Sequence, residues 1–297
     1  MTKASLAVLV NREGGAAAAA GDALKGDIEK AFEAAGVHAQ VEMLAGDEMA
    51  PAIKRAAGKA RIVVAGGDGT AASAAQILLG KKTELALLPL GTLNHLARDL
   101  GIPTDLTKAA ALAAHGKAAK IDVGAVNDHC FVNNASIGLY PLMVKGRDDY
   151  RDRHGLPKWL AMIPASWDTL SRLRNQHLRI DMGEGEKPLV TPLLFVGNNL
   201  YSLEPGSVGS RETLQDGKLS IYAVARRSRA SLLWFGMRAA VGLAHRTSDF
   251  EELGICREMI VQPRGGSVEI ALDGEVRKMS GPLKFRIHAA GLRVVVP

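Results

Sequence analysis

Cysteine is nearly absent: 297 residues hold only Cys130 and Cys256, and no CxxC pair occurs. A zinc ribbon or disulfide scaffold is therefore not expected, and a reducing compartment is. Aromatic residues make up only 4% of the chain. That is too little for the stacking platforms of single-strand binders, so nucleic acid is not an expected partner. No uncharged apolar stretch reaches 18 residues, and the run 188–203 is broken by two prolines, a glycine and two asparagines. No transmembrane helix is predicted. The apolar run 6–10 ends at Asn11-Arg12-Glu13, too soon for a signal peptide. Neither GxGxxG nor GxxxxGK[ST] is present, which removes the dinucleotide fingerprint and the Walker A loop.

What remains is ordinary globular material, with 47% hydrophobic and 23% charged residues. Lysine and arginine number 37 against 31 acidic residues, a formal charge of +6 that favours anionic partners without naming them. The length suggests about two domains. Up to about residue 120, short apolar runs at 6–10, 37–44, 61–65 and 85–88 alternate with helical patterns at 16–35, 49–59 and 71–79. This βαβα rhythm predicts an α/β domain with a parallel sheet. After Asp122, runs at 130–132, 178–180, 193–196, 219–224 and 267–272 are separated by Gly, Asn, Asp and Pro, with helical patterns only at 159–174 and 230–245. A mainly antiparallel second domain is expected there.

Gly66-Gly67-Asp68-Gly69-Thr70 lies between a strand end and a helix start. Glycines there let backbone N–H groups approach a phosphate, and the helix N-terminus favours negative charge. A tight βα turn capped by Asp68 would read the same way. A second such turn, Pro89-Leu90-Gly91-Thr92-Leu93-Asn94, follows the next strand. Two glycine turns at adjacent strand ends form one crevice, where open α/β sheets bind ligands. Asp273-Gly274 and Asp216-Gly217 each read locally as a hairpin turn.

Taken in order, these segments resemble the catalytic domain of the diacylglycerol kinase and sphingosine kinase superfamily, nearest its bacterial soluble lipid kinases. The resemblance also rests on Phe131-Val132-Asn133-Asn134-Ala135-Ser136-Ile137-Gly138, Val196-Gly197-Asn198-Asn199, Asp216-Gly217-Lys218-Leu219 and Asp273-Gly274-Glu275. It implies an α/β fold, with an N-terminal domain like those of NAD kinases and phosphofructokinases. That domain would span residues 1–122 plus a returning tail at 283–297, with a β-rich acceptor domain at 123–282. ATP and Mg²⁺ are the implied cofactors. The implied reaction moves the γ-phosphoryl group to a lipid hydroxyl at a membrane surface, making the protein cytoplasmic and peripherally associated; homodimerisation is left open.

By the same resemblance, Asn11, Gly66, Gly67, Gly69, Thr70, Gly91, Thr92 and Asn94 would bind nucleotide. Asp68 and Asp122 would belong to a carboxylate, water and Mg²⁺ network. Glu275 would be the general base, with Asp273 its neighbour or substitute. Leu214, Asp216 and Leu219 would hold a structural Mg²⁺. Phosphoryl transfer needs little beyond alignment, charge neutralisation and removal of one proton, which suits this cast. The chain departs from the family at His95, where many members have Asp, and at Arg12, where the family often has Pro.

For docking, the mixed charges of 145–154 read as a solvated loop. Arg226, Arg227 and Arg229, followed by Leu232, Leu233, Trp234 and Phe235, fit either an interfacial anchor or a helix packed on the second domain. A kinase for a soluble acceptor and a binding protein without catalysis are the alternative readings.

Overall fold

The computed structural model describes residues 5–15, 17, 21, 23–138, 175–202, 211–224 and 250–297. The expected helices at 159–174 and 230–245, the charged segment 145–154 and the basic cluster at 226–229 lie outside the described residues.

In the first half the strands are β1 (Ser5–Asn11), β2 (His38–Leu44), β3 (Arg61–Gly66) and β4 (Glu84–Pro89). The helices are α1 (Ala23–Ala34), α2 (Gly46–Ala56), α3 (Asp68–Leu78), α4 (His95–Asp99) and α5 (Leu106–His115). The strands pair in parallel in the order β2-β1-β3-β4. β1, β3 and β4 are each buried at four consecutive positions, because helices cover both faces. On one face α1 buries Leu24, Ile28, Ala31 and Phe32 beside α5. On the other, α2 buries Met49, Ala52, Ile53 and Ala56 beside α3. Spacings of three and four put each set on one helix face. The expected α/β alternation is found here.

The second half holds β5 (Lys117–Val126), β6 (His129–Phe131), β7 (Asn134–Gly138), β8 (Gln176–Asp181), β9 (Lys187–Thr191) and β10 (Leu193–Asn198). It continues with β11 (Leu219–Val224), β12 (Phe250–Cys256), β13 (Glu258–Pro263), β14 (Ser267–Leu272), β15 (Glu275–Ser280) and β16 (Leu283–Val296). One six-stranded sheet, β12-β11-β10-β7-β14-β15, is wholly antiparallel. It shares a core with β5, β6, β8, β13 and β16, filled by Phe131, Ile137, Val196, Ile221, Ile270 and Phe285.

β16 belongs to both halves. Leu283 and Phe285 enter the second core, while Leu292 and Val294 enter the core under α2 and α3. Val294 pairs in parallel with Leu85 of β4, and the strand also pairs antiparallel with β5 and β13. The parallel sheet thus continues into a ten-stranded sheet. Residue 122 falls inside β5, so hydrogen-bonded sheet crosses the point where the sequence texture changes. An irregularity between His288 and Leu292 lets β16 turn, and Ala290 there has φ 51°, a left-handed conformation.

Candidate active site

Three loops at the carboxyl ends of β1, β3 and β4 form one wall of a cleft of about 870 Å³. They touch through backbone. A Cβ on Gly91 would overlap the Cα of Gly67, and one on Gly15 would lie 2.8 Å from the Leu90 carbonyl oxygen. Glycine at 91 is required by this close approach of the second loop to the first. A Cβ on Gly66 would likewise meet Thr70 Oγ1 at 2.6 Å. Thr70, packed there, accepts a hydrogen bond from Asn11 Nδ2 at 3.1 Å. Asn11 Oδ1 accepts from Glu13 N at 3.0 Å, and Glu13 Oε2 accepts from Gly46 N at the start of α2 at 3.0 Å. α3 opens at Asp68, and its first-turn N–H groups have no acceptor within the helix, so they are available to an anion.

Asn94 does not point its amide at the cleft. Its Nδ2 donates to the Gly91 and Pro89 carbonyls at 2.8 and 3.3 Å, and its Oδ1 accepts from Gly91 N at 3.0 Å. Asn94 has φ 50°, which Asn tolerates better than most residues. It shapes the second loop, and Thr92 is left as the side chain that lines the cleft. Asp68 Oδ1 accepts from Leu96 N at 3.2 Å, fixing the start of α4. His95, at the first position of α4, is exposed.

The facing wall carries Leu272, Asp273, Glu275 and Arg277 of the β14–β15 hairpin, with Asp128, His129 and Cys130. Asp273 and Gly274 both have positive φ, 47° and 94°, and Leu272 pairs with Glu275, the two-residue turn the local sequence suggested. The turn is more than a connector. Asp273 accepts from Val132 N and Asn133 N, each at 2.7 Å, and from Asn134 N at 3.1 Å. Burial pushes its carboxyl up to about 6, opposed by those three N–H groups and by the Arg211 charge. Glu275 is exposed at the cleft. Its Oε1 lies 3.1 Å from where a Cβ on Gly69 would sit, and its Oε2 takes Arg277 Nη2 at 3.1 Å. The Glu275 carboxylate therefore sits directly against the glycine loop at the cleft. Burial raises the Cys130 thiol to about 11, which disfavours the thiolate.

Asp122 lies elsewhere. It is 2% exposed, and its carboxylate accepts from Gly217 N at 2.6 Å and Ala290 N at 2.7 Å. It ties β5 to the turn before β11 and to the bend of β16, and it does not line the cleft. Leu214 bonds Asp122 directly, Asp216 precedes Gly217, and Leu219 opens the buried strand β11. The Leu214 carbonyl accepts from Asp122 N at 2.8 Å, and Asp216 Oδ2 from Leu200 N at 3.3 Å. Among the described residues no group of three or more His, Cys, Asp and Glu could hold a metal ion. Asp68 keeps one carboxylate oxygen without a protein hydrogen bond among the described residues. Mg²⁺ prefers oxygen and keeps several waters, so an ion arriving with a polyphosphate fits that oxygen.

The sequence assigns no role to Arg211 and Asn133, both buried, or to Tyr201. Arg211 sits in a run without motif signal, and only the folded chain brings it to Asp99 and the β6–β7 connection.

Residues 5–126 match the family model for the diacylglycerol kinase catalytic domain. A diacylglycerol kinase of Mycobacterium tuberculosis (strain H37Rv) is 29% identical over 273 residues, 86% of this chain and 84% of that one. A protein described as "Probable lipid kinase YegS-like" from Enterobacter sp. (strain 638) is 42% identical over 83 residues, and the match spans only 28% of its length. Among solved structures, a diacylglycerol kinase from Bacillus anthracis str. Sterne superposes with TM-score 0.68 at 18% identity, covering 100% of this chain and 98% of that one. Yeast NADH kinase complexed with NADH gives 0.52 at 10% identity, covering 100% and 84%. At these identities the structures speak for the fold alone. Among the described residues no helix is long and apolar enough to cross a membrane.

Proposed function

We propose, from the match of residues 5–126 to the diacylglycerol kinase catalytic domain and the 29% identity to a diacylglycerol kinase over 86% of the chain, that this protein is a kinase of that family and transfers the γ-phosphoryl group of ATP to the hydroxyl of diacylglycerol or a related lipid alcohol. The observation that carries the reading is the close approach of Glu275 Oε1 to the Gly69 backbone, where the two walls of the cleft meet. A phosphate bound on the first turn of α3 would then lie beside the one exposed carboxylate of the β14–β15 hairpin.

The steps follow from the residues. Backbone N–H groups of the first glycine loop hold the phosphates, and no side chain intervenes because Gly67 and Gly91 bring the two loops into contact. Glu275 takes the proton of the acceptor hydroxyl as the hydroxyl oxygen attacks. Arg277, bonded to Glu275 Oε2, leaves Oε1 as the oxygen facing the cleft. Bound Mg²⁺ would neutralise phosphate charge, with Asp68 as its protein ligand. Asp273 acts on this chemistry indirectly, by holding the hairpin to the β6–β7 connection. The lipid presents its hydroxyl from a bilayer on which the protein docks peripherally.

The test is [γ-³²P]ATP with mixed lipid micelles, comparing wild type with Asp68→Ala. Chloroform-extractable label that disappears in the variant is expected. Label appearing only in NADP would overturn the reading in favour of a soluble acceptor. Retained ATP binding without any transfer would leave a binding protein.

A further inference from the structure

We infer that Arg211 is a positioning residue that holds the Asp273–Glu275 hairpin in register with the second glycine loop. This inference rests on the kinase reading above.

Arg211 has its side chain fully buried, yet every arm of its guanidinium has a partner. Nε donates to Asp99 Oδ2 at 2.7 Å, and Nη2 approaches the same oxygen at 2.6 Å. Nη1 donates to the Val132 and Asn198 carbonyls at 2.6 and 3.2 Å, and Nη2 to Asn133 Oδ1 at 2.9 Å. The Tyr201 ring lies beneath it, 5.4 Å from the guanidinium carbon to the centroid, and Tyr201 Oη donates to the Asn133 carbonyl at 2.9 Å.

Each end of this fork reaches one wall of the cleft. Asp99 closes α4, the single turn whose start is bonded to Asp68 and follows Asn94 directly. Val132 and Asn133 are two of the three residues whose N–H groups grip the Asp273 carboxylate. Glu275 stands two residues beyond Asp273, against Gly69. The path therefore closes on itself: Asp68, α4, Asp99, Arg211, the β6–β7 connection, Asp273, Glu275 and back to the glycine loop. A buried ion pair is a poor device for stability, because desolvation cancels most of its attraction, and apolar residues of similar size serve as well. A planar fork with five donors is a good device for fixing three segments at one distance. Phosphoryl transfer depends on such distances, and a displacement of about 1 Å can cost about 10²-fold in rate.

The experiment compares Arg211→Met with wild type in three measurements: kcat on micellar lipid, ATP affinity by calorimetry, and amide hydrogen exchange. Expected are a kcat lower by about 10²-fold, ATP affinity within about twofold, and faster exchange at Val132, Asn133 and Asn134 with β1 and β3 unchanged. An unchanged kcat, or a loss that only tracks the folded fraction, overturns the role. If Arg211→Met does not fold, Asp99→Asn, which keeps an acceptor for Arg211, replaces it with the same pattern expected at smaller amplitude. A wild type that phosphorylates no lipid defeats the kinase reading, not this one. In that case unchanged exchange at the three amides is the result that overturns Arg211.

Discussion

On the glycine-loop wall of the cleft, Asn94 bonds to residues three and five positions away. On the facing wall, Asp273 takes its three N–H groups from residues 139 to 141 positions earlier. Asp122 behaves like Asp273, reaching 95 and 168 positions to Gly217 and Ala290. The first wall is a set of local turns on a parallel sheet, each able to form once its own strand and helix exist. The second wall is assembled, and its carboxylates are in place only when distant strands have met. The comparison separates what fails locally from what fails through the whole fold.

The sharpest break is chemical. Glu275→Gln removes the proposed base while leaving the hairpin turn intact, so kcat should fall by about 10²- to 10⁴-fold with ATP affinity unchanged. Steady-state transfer on micelles with calorimetric ATP titration measures both, and a kcat near wild type would remove Glu275 from the mechanism.

Next comes the contact between the two glycine loops. Gly91→Ala drives a methyl group into Gly67, and backbone cannot swing aside. It should destabilise the fold by about 1–3 kcal/mol and weaken ATP binding, read by urea titration and calorimetry. Gly69→Ala is the control for the other wall. Its methyl group meets only Glu275 Oε1, at 3.1 Å, so stability should hold while transfer slows. Equal effects of the two substitutions would erase the distinction between the walls.

A smaller effect is set by pH. Asp273 rises in the fold from its ordinary 3.8 to about 6. Between those values the folded state keeps a proton that the unfolded chain has lost. The contribution of this group to stability is therefore full below about pH 4 and is lost as pH rises through 6. Melting temperatures of wild type and Asp273→Asn across pH 4 to 7 should diverge over that window, wild type declining relative to the variant. Parallel curves would mean that the three N–H groups and the Arg211 charge cancel burial, and a wild type that gained relative to the variant would mean that they outweigh it.

The smallest change should be a gain. Ala290 holds a left-handed φ of 51° at the bend of β16, where glycine carries no steric cost. Ala290→Gly should stabilise by up to about 1 kcal/mol without altering transfer, because the methyl group is lost and the Asp122 bond to the backbone N–H is kept.

The parallel strands and both glycine loops were legible because their signals are short. An apolar run followed by glycine and a helical period marks a strand end wherever it lies in the chain. The β14–β15 turn was legible for the same reason, Asp-Gly between apolar runs. Its anchoring was not, since nothing near residue 273 marks Val132 as its partner. Asp122 carried an acidic signal, but its burial against Gly217 and Ala290 depends on where β16 runs. Arg211 carried none, being one arginine among many until Asp99 and the β6–β7 connection surround it.

A chain poor in cysteine and aromatics builds its cleft from glycine backbone and carboxylates, and its sequence alone determined the α/β class and the glycine loops at the strand ends. Only the tertiary structure decided which carboxylates meet those loops. Local turns are fixed by backbone sterics within a few residues, whereas the position of Glu275 depends on hydrogen bonds and a buried charge shared among strands far apart in the chain.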